Sequence, residues 1–524
     1  MVQKKSKNFK FGRGGFSTLE VLMAMFVLVL AVTGAVQIAF GSQSMLISGQ
    51  SSAEALEKAR AALEQAQFLG RRDFRLVNPA GSSDGYYITQ ILVTPAAEFF
   101  KKTVMAKVSW NSEGKQARSI ELQTTITDFN NVSGGDTCDS MLSPDADAWQ
   151  MPKLKAAFSG FSALAGAGDK FSVTDVDAYK NRLYVTVNNR AASTTTAPAF
   201  FVFDISDREK IVPVPGGFAD NDPLGKGGIN AVAAADFLDA FGNKKIYAYV
   251  ANASGARAGQ LQVFEVSSNG GDTIPPQLKA SLELPAPGGG NSIFYRDGYV
   301  YLGLEHDGAG PEFHIINVRD PLNPKLVPGG NYAVGNGINA IYVKNNFAYL
   351  ATPNSQELIV LDVSDLSNIK TGSPAWGYDA GGGGNGKSLY MIGDNLYLGR
   401  TIPNSGPEFL VLDARDPKKI SANNAAPWAL EINDSVDAVS VRSGFGGMPL
   451  VARNLAFLLT RFNFQIWDLA DISPWTPKKT AAEFLVLPAS GSSEFEPVMD
   501  CEGNRFYIGS NDASDNGYVF MIAP

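Results

Sequence analysis

Two cysteines and two histidines in 524 residues leave no material for a cysteine-rich or histidine-rich metal framework. With both histidines close together in sequence, a Ser-His-Asp triad also has few places to form. Positive charge is scarce as well. The chain has 44 Lys and Arg against 52 Asp and Glu, a formal net charge of −8. Five of the positive charges (Lys4, Lys5, Lys7, Lys10 and Arg13) lie in an acid-free leader, and removing them leaves −13. So acidic a chain is a poor nucleic-acid binder, and no nucleic-acid partner is expected. Glycine and proline are plentiful, at 53 and 28. They concentrate after residue 130, which predicts many turns and an all-β body. The length predicts about two to four domains.

The first segment reads FGRGGFSTLEVLMAMFVLVLAVTGAVQIAF over residues 11–40. Phe16 opens an apolar run that only Glu20 interrupts, and no other charge appears between Val21 and Ala53. A carboxylate inside an apolar segment is costly unless a partner neutralises it. The junction Gly15-Phe16-Ser17-Thr18-Leu19-Glu20 resembles the class III signal of type IV pilins and type II secretion pseudopilins. That resemblance implies a prepilin peptidase that cuts after Gly15, N-methylation of Phe16, and a filament-assembly role for Glu20. Its carboxylate would neutralise the N-terminal amine of a neighbouring subunit, since opposite charges in a low dielectric cost less together than apart. A Sec signal would have a shorter apolar core and a small-x-small cleavage site.

Residues 16–40 are long enough as a helix to cross a bilayer, and the basic leader places the N-terminus in the cytoplasm. The pattern then turns amphipathic through Ala53, Leu56, Ala59, Ala62, Leu63 and Ala66, so one helix is expected over 16–70. Residues 71–132 alternate as short strands, 86–93, 103–110 and 118–126. The two together make an α+β module similar to minor pilins, with a linker over 133–150. The expected localisation is the inner membrane as a single-pass precursor, then an extracellular filament or the cell surface.

Residues 151–524 repeat. A strand ending in an Asp pair recurs as FVFDISDREK (201–210), FHIINVRDPLNPK (313–325), LIVLDVSDLSNIK (358–370), FLVLDARDPKK (409–419) and FQIWDLADISPWTPK (464–478). Each follows a Tyr-rich or Phe-rich strand such as RLYVTV (182–187) or NLYLGR (395–400). Equivalent positions are Asp204, Glu265, Asn317, Asp362, Asp413, Asp468 and Met521, spaced by 45 to 61 residues. Seven copies at that period predict a seven-bladed β-propeller, and the Asp motif resembles the LVIVD repeat family of extracytoplasmic propellers. The last copy stops without a fourth strand, so MPKLKAAFSGF (151–161) is expected to complete it and remove an exposed edge. Closure would bring Cys138 near Cys501, and export permits a disulfide between them. Two unpaired buried thiols are the alternative.

Several constellations invite chemistry. The repeated pairs Asp204/Asp207, Asp362/Asp365, Asp413/Asp416 and Asp468/Asp471 read as turn-setting residues. AGGGGNGKS (380–388) lacks the spacing of a phosphate-binding loop, and PGGGN (287–291) reads as a loop between blades. His306 and His314, with Glu305, Asp307 and Glu312, lack the convergence a metal demands. Asn511–Gly517 reads as a hairpin loop. No cofactor, metal or catalytic residue is assigned.

The resulting expectation is a non-enzymatic minor pilin or pseudopilin, with a tip propeller for extracellular binding or adhesion. Its partners would be other pilin subunits, prepilin peptidase and an unknown extracellular ligand. The alternatives are a tethered propeller hydrolase and a structural cap that primes assembly. Convergent carboxylates in the central channel, with bound metal, would favour the hydrolase. A channel lined by backbone and neutral side chains would favour binding.

Overall fold

The computed structural model describes residues 18–72, 77, 79–95, 101–111, 117–127, 149–165, 170–188, 197–220, 228–239, 242–253, 258–268, 272–354, 356–392, 394–422, 429–446, 451–461, 463–469, 478–479, 484–485, 496–512, 514 and 516–524. The chain divides into two compact units, 1–129 and 130–524.

The first unit holds one helix, α1 (Thr18–Arg72), and a sheet in the order β1 (Ala80–Ser83), β2 (Tyr87–Pro95), β3 (Lys101–Asn111), β4 (Ala117–Thr127). Alternation sets the core of this sheet. Val104, Ala106, Val108 and Trp110 of β3 are buried, and the residues between them are less so, as period-two strands require. Ala55, Ala59, Ala62 and Ala66 of α1 pack on that face. Their small side chains let helix and sheet approach closely.

Among the described residues, no helix is long and apolar enough to cross a membrane. The apolar side chains described on α1, from Leu22 to Val36, are exposed. The expected transmembrane segment, single-pass inner-membrane localisation and pilin assignment are therefore withdrawn. Gly15 and Phe16, the expected cleavage and methylation sites, lie outside the described residues. Glu20 falls in the first turn of α1.

The second unit is seven antiparallel sheets, each entered by an inner strand. The inner strands are Ser172–Tyr179, Ile229–Leu238, Gly290–Arg296, Ala340–Lys344, Gly386–Ile392, Val436–Gly446 and Val498–Glu502, which begin blades 1 to 7. Each touches the next, and the seventh touches the first, so the ring closes as a propeller. The middle strands are packed on both faces, which makes their sequences near-continuous apolar runs. Gly303, Gly399 and Gly509 stand in the second strands of blades 3, 5 and 7. A Cβ at Gly399 or Gly509 would collide with the inner strand of the following blade, and one at Gly303 with Ser292 of its own inner strand and with Ile338, just ahead of the next.

Lys153–Phe158 pairs antiparallel with the last strand, Gly517–Ala523, with Met521 opposite Ala156. The chain's early segment thus completes blade 7. Trp149 is pinned just before it. The indole is fully buried against Phe457 and Phe506 and donates Nε1–H to Asn504 Oδ1 at 2.9 Å. Cys501 is buried in the same cluster and is not a free thiol. Its expected partner Cys138 lies outside the described residues, which hold no complete disulfide.

The Asp pairs set turns. Asp204, Asp362 and Asp413 accept from the backbone N–H two residues on at 2.8–3.0 Å, and Asp207, Asp365 and Asp416 do the same at 3.0–3.1 Å.

Candidate functional site

A cavity of about 250 Å³ runs between the inner strands, and all seven contribute to its wall. Strand register identifies one ring of equivalent positions. Asp177, Ala233, Phe294, Tyr342, Tyr390, Ser440 and Asp500 each stand opposite an aromatic residue of the second strand: Tyr184, Tyr249, Tyr301, Tyr349, Tyr397, Phe457 and Tyr507. The ring is two-sided. Blades 3 to 5 supply an aromatic arc, with Phe294–Tyr342 centroids at 5.3 Å and Tyr342–Tyr390 at 6.0 Å. Blades 6, 7 and 1 supply Ser440, Asp500 and Asp177.

The carboxyls of Asp177 and Asp500 are neighbours, close enough for each to feel the other's charge. Each also clasps the following blade. Asp177 Oδ2 accepts from Ala234 N–H, and Asp500 Oδ2 accepts from Ala178 N–H at 2.6 Å. Burial, and then the neighbouring Asp500 charge, push the Asp177 carboxyl well above the usual carboxylate range. Two neighbouring carboxyls in a low dielectric resist ionising together. Asp175 lies beside them. It accepts from Val176 N–H at 2.9 Å and Val232 N–H at 2.8 Å, yet burial outweighs these bonds and lifts its carboxyl to about 7.

The histidines do not form a metal site. His306 Nδ1 lies 2.6 Å from Glu312 Oε1, while buried His314 donates Nε2–H to the Pro311 carbonyl at 2.9 Å. Among the described residues, no group of three or more His, Cys, Asp or Glu stands ready for a metal. The glycine loop at 380–388 supplies the Gly381 carbonyl to the buried Arg400 guanidinium. In the first unit, a groove lined by Ser51, Glu54, Asp84 and Tyr87 is internally satisfied. Lys58 lies 2.7 Å from Asp84, whose carboxyl this contact and the Tyr87 N–H hold down at about 2.

Sequence reasoning missed Asp175, Asp177 and Asp500, and it missed a second repeated staple. Gln260, Glu312, Glu357 and Glu408 each precede a third strand and accept from backbone N–H groups of the loop that follows the blade, such as Val334, Ala380 and Ile432. The signal was available: GQL, PEF, QEL and PEF recur at 259–261, 311–313, 356–358 and 407–409.

No protein-family model matches the chain, and no curated protein matches it. Several of the solved structures similar to it are named as enzymes or enzyme-like proteins. One is a putative 6-phosphogluconolactonase from Bacteroides fragilis, with 13% identity and TM-score 0.38, covering 77% of this chain and 97% of that one. Another is a periplasmic gluconolactonase from Pseudomonas aeruginosa, with 9% identity and TM-score 0.36, covering 62% and 90%. A third is a quinoprotein alcohol dehydrogenase-like protein from Bacteroides thetaiotaomicron, with 10% identity and TM-score 0.35, covering 74% and 86%. Superpositions this loose assign no activity to this chain. The channel itself holds convergent carboxyls. The expected pilin-tip adhesion role and the expectation of no enzyme site are corrected accordingly.

Proposed function

We propose that the propeller is a hydrolase whose reaction site is the central channel, acting on a small ester-class substrate, cyclic esters included. The observation that carries this reading is the pair of neighbouring carboxyls Asp177/Asp500, set opposite an aromatic arc in one cavity. A pair that holds one proton offers a base and an acid at the same pH, which is what carbonyl hydrolysis needs. The ionised member takes a proton from water as the water oxygen adds to the carbonyl carbon. The protonated member hydrogen-bonds the carbonyl oxygen. When the acyl–oxygen bond breaks, the proton passes to the departing alkoxide, leaving an acid and an alcohol. Phe294, Tyr342 and Tyr390 offer apolar faces for the substrate's carbon skeleton.

The test is hydrolysis of a panel of five- and six-membered lactones and p-nitrophenyl esters by the full chain. Turnover is expected, and Asp500→Asn or Asp177→Asn should lower kcat by about 100-fold or more with an unchanged circular dichroism spectrum. A folded protein inert to the whole panel, or Asn variants as active as the parent, would overturn the reading.

A further inference from the structure

Three residues before the channel ring, on each inner strand, lies a second ring: Thr174, Asn230, Asn291, Asn339, Lys387 and Asp437 in blades 1 to 6. In five of these strands the register shifts at that residue, Asn339 being the exception, so the side chain stands on a bulge. Bulges re-aim side chains and recur beside active sites. In blades 1 to 4 the position shares a task, which is to donate to a backbone carbonyl of the next blade. Asn230 reaches Gly290 O at 2.9 Å, Asn291 reaches Ile338 O at 2.9 Å, Asn339 reaches Gly386 O at 2.7 Å, and Thr174 reaches Ile229 O.

Blades 5 and 6 abandon that task. Lys387 instead forms an ion pair with Glu496, ahead of the seventh inner strand. Asp437, an acceptor where the repeat needs a donor, has both carboxylate oxygens buried and without a hydrogen-bond partner among the described residues. Burial, with the Glu496 charge adding to it, pushes its carboxyl well above the usual range. A native protein rarely leaves such a group unsatisfied unless something else satisfies it.

We propose that Lys387, Asp437 and Glu496 form a subsite beside the channel that receives the vicinal hydroxyls of a polyol or sugar. The unpaired Asp437 oxygens need donors, and hydroxyls supply them. Lys387 has three N–H donors, of which the Glu496 pair uses one. A cationic ligand is disfavoured because Lys387 already stands there. A divalent ion is disfavoured because no three-ligand group exists among the described residues. The aromatic arc of blades 3 to 5 gives a ring's C–H faces a surface to rest on. This deepens the proposed hydrolase reading by naming its substrate class and rests on the same channel.

The experiment is calorimetric titration of the full chain with methyl glucopyranoside, methyl galactopyranoside, methyl mannopyranoside and ribitol. Putrescine and Ca²⁺ serve as contrasting probes. At least one polyol should bind, and Asp437→Leu should weaken it 10-fold or more without lowering Tm, since the variant removes a buried unpaired carboxylate. Asp500→Asn should bind the polyol like the parent. Absence of polyol binding, binding unaltered in Asp437→Leu, or binding of putrescine or Ca²⁺ in place of the polyols would each overturn the proposal. Polyol binding that depends on Asp437 in a protein inert to every ester would sustain this subsite while the hydrolase reading fails.

Discussion

Asp177 and Asp500 are neighbours across the seam where the last blade meets the first. Each carboxyl gives one oxygen to the backbone of the following blade, so the pair is a clasp, and in the proposed reaction it is a proton store as well. The two roles make different demands. The clasp needs an acceptor oxygen, which asparagine retains. The store needs an ionisable group, which asparagine lacks.

Activity should therefore follow the pair's ionisation. The ester hydrolysis proposed for the channel should be bell-shaped in pH, because the pair is active only while it holds one proton. Asp500→Asn should abolish the bell rather than merely scale it. A pH–rate profile of parent and variant checks this, and parallel curves would count against the pair.

Stability should also respond to pH through Asp175. Its carboxyl stands at about 7 in the folded chain, against an ordinary value near 4 in the unfolded one. Between these values the folded state keeps a proton that the unfolded state releases. Stability therefore falls as pH rises from about 4 to about 7, and above that Asp175 adds no further slope. Asp175→Asn should flatten the fall. Thermal melts at half-unit pH steps read it, and an unchanged slope in the variant would refute it.

Trp149→Ala should destabilise the propeller by about 3–5 kcal/mol, the usual cost of emptying a large aromatic site. The indole is fully buried between Phe457 and Phe506 and anchors the strand that completes blade 7. Denaturant unfolding followed by Trp and Tyr fluorescence measures the loss. A change under 1 kcal/mol would mean that the closing strand holds without its anchor.

Glu357→Ala should cost about 3–5 kcal/mol as well, for a different reason. Glu357 and Arg400 form a fully buried ion pair, and the Arg400 guanidinium also donates to the Gly381 and Pro407 carbonyls. Removing the carboxylate leaves a buried cation without its counter-charge. Glu357→Ala with Arg400→Leu should be less harmful than the single change. Equal melting temperatures for the two would show that the pair's charge is irrelevant.

Much of the fold was legible because repetition is a sequence property. The Asp pairs, the Tyr-rich strands and their spacing are local signals, and local hydrogen bonds at Asp204, Asp362 and Asp413 realise them. The closing strand was legible too, because the last copy lacks a partner that Pro152-Lys153-Leu154 resembles. The pilin reading failed for the opposite reason. It rested on the junction around Gly15, Phe16 and Glu20 and on an apolar run read as a membrane span, and no described helix is long and apolar enough to span a membrane.

The channel site was not legible. Asp177, Asp500 and the arc of Phe294, Tyr342 and Tyr390 come from five blades. In sequence, each inner-strand residue is only one member of a short apolar alternation. Composition, periodicity and turn chemistry determined the blades, because each blade is built from contacts among neighbours along the chain. Ring closure alone decided the site. It sets residue 177 beside residue 500, and only in that low-dielectric contact is the Asp177 carboxyl pushed well above the usual carboxylate range.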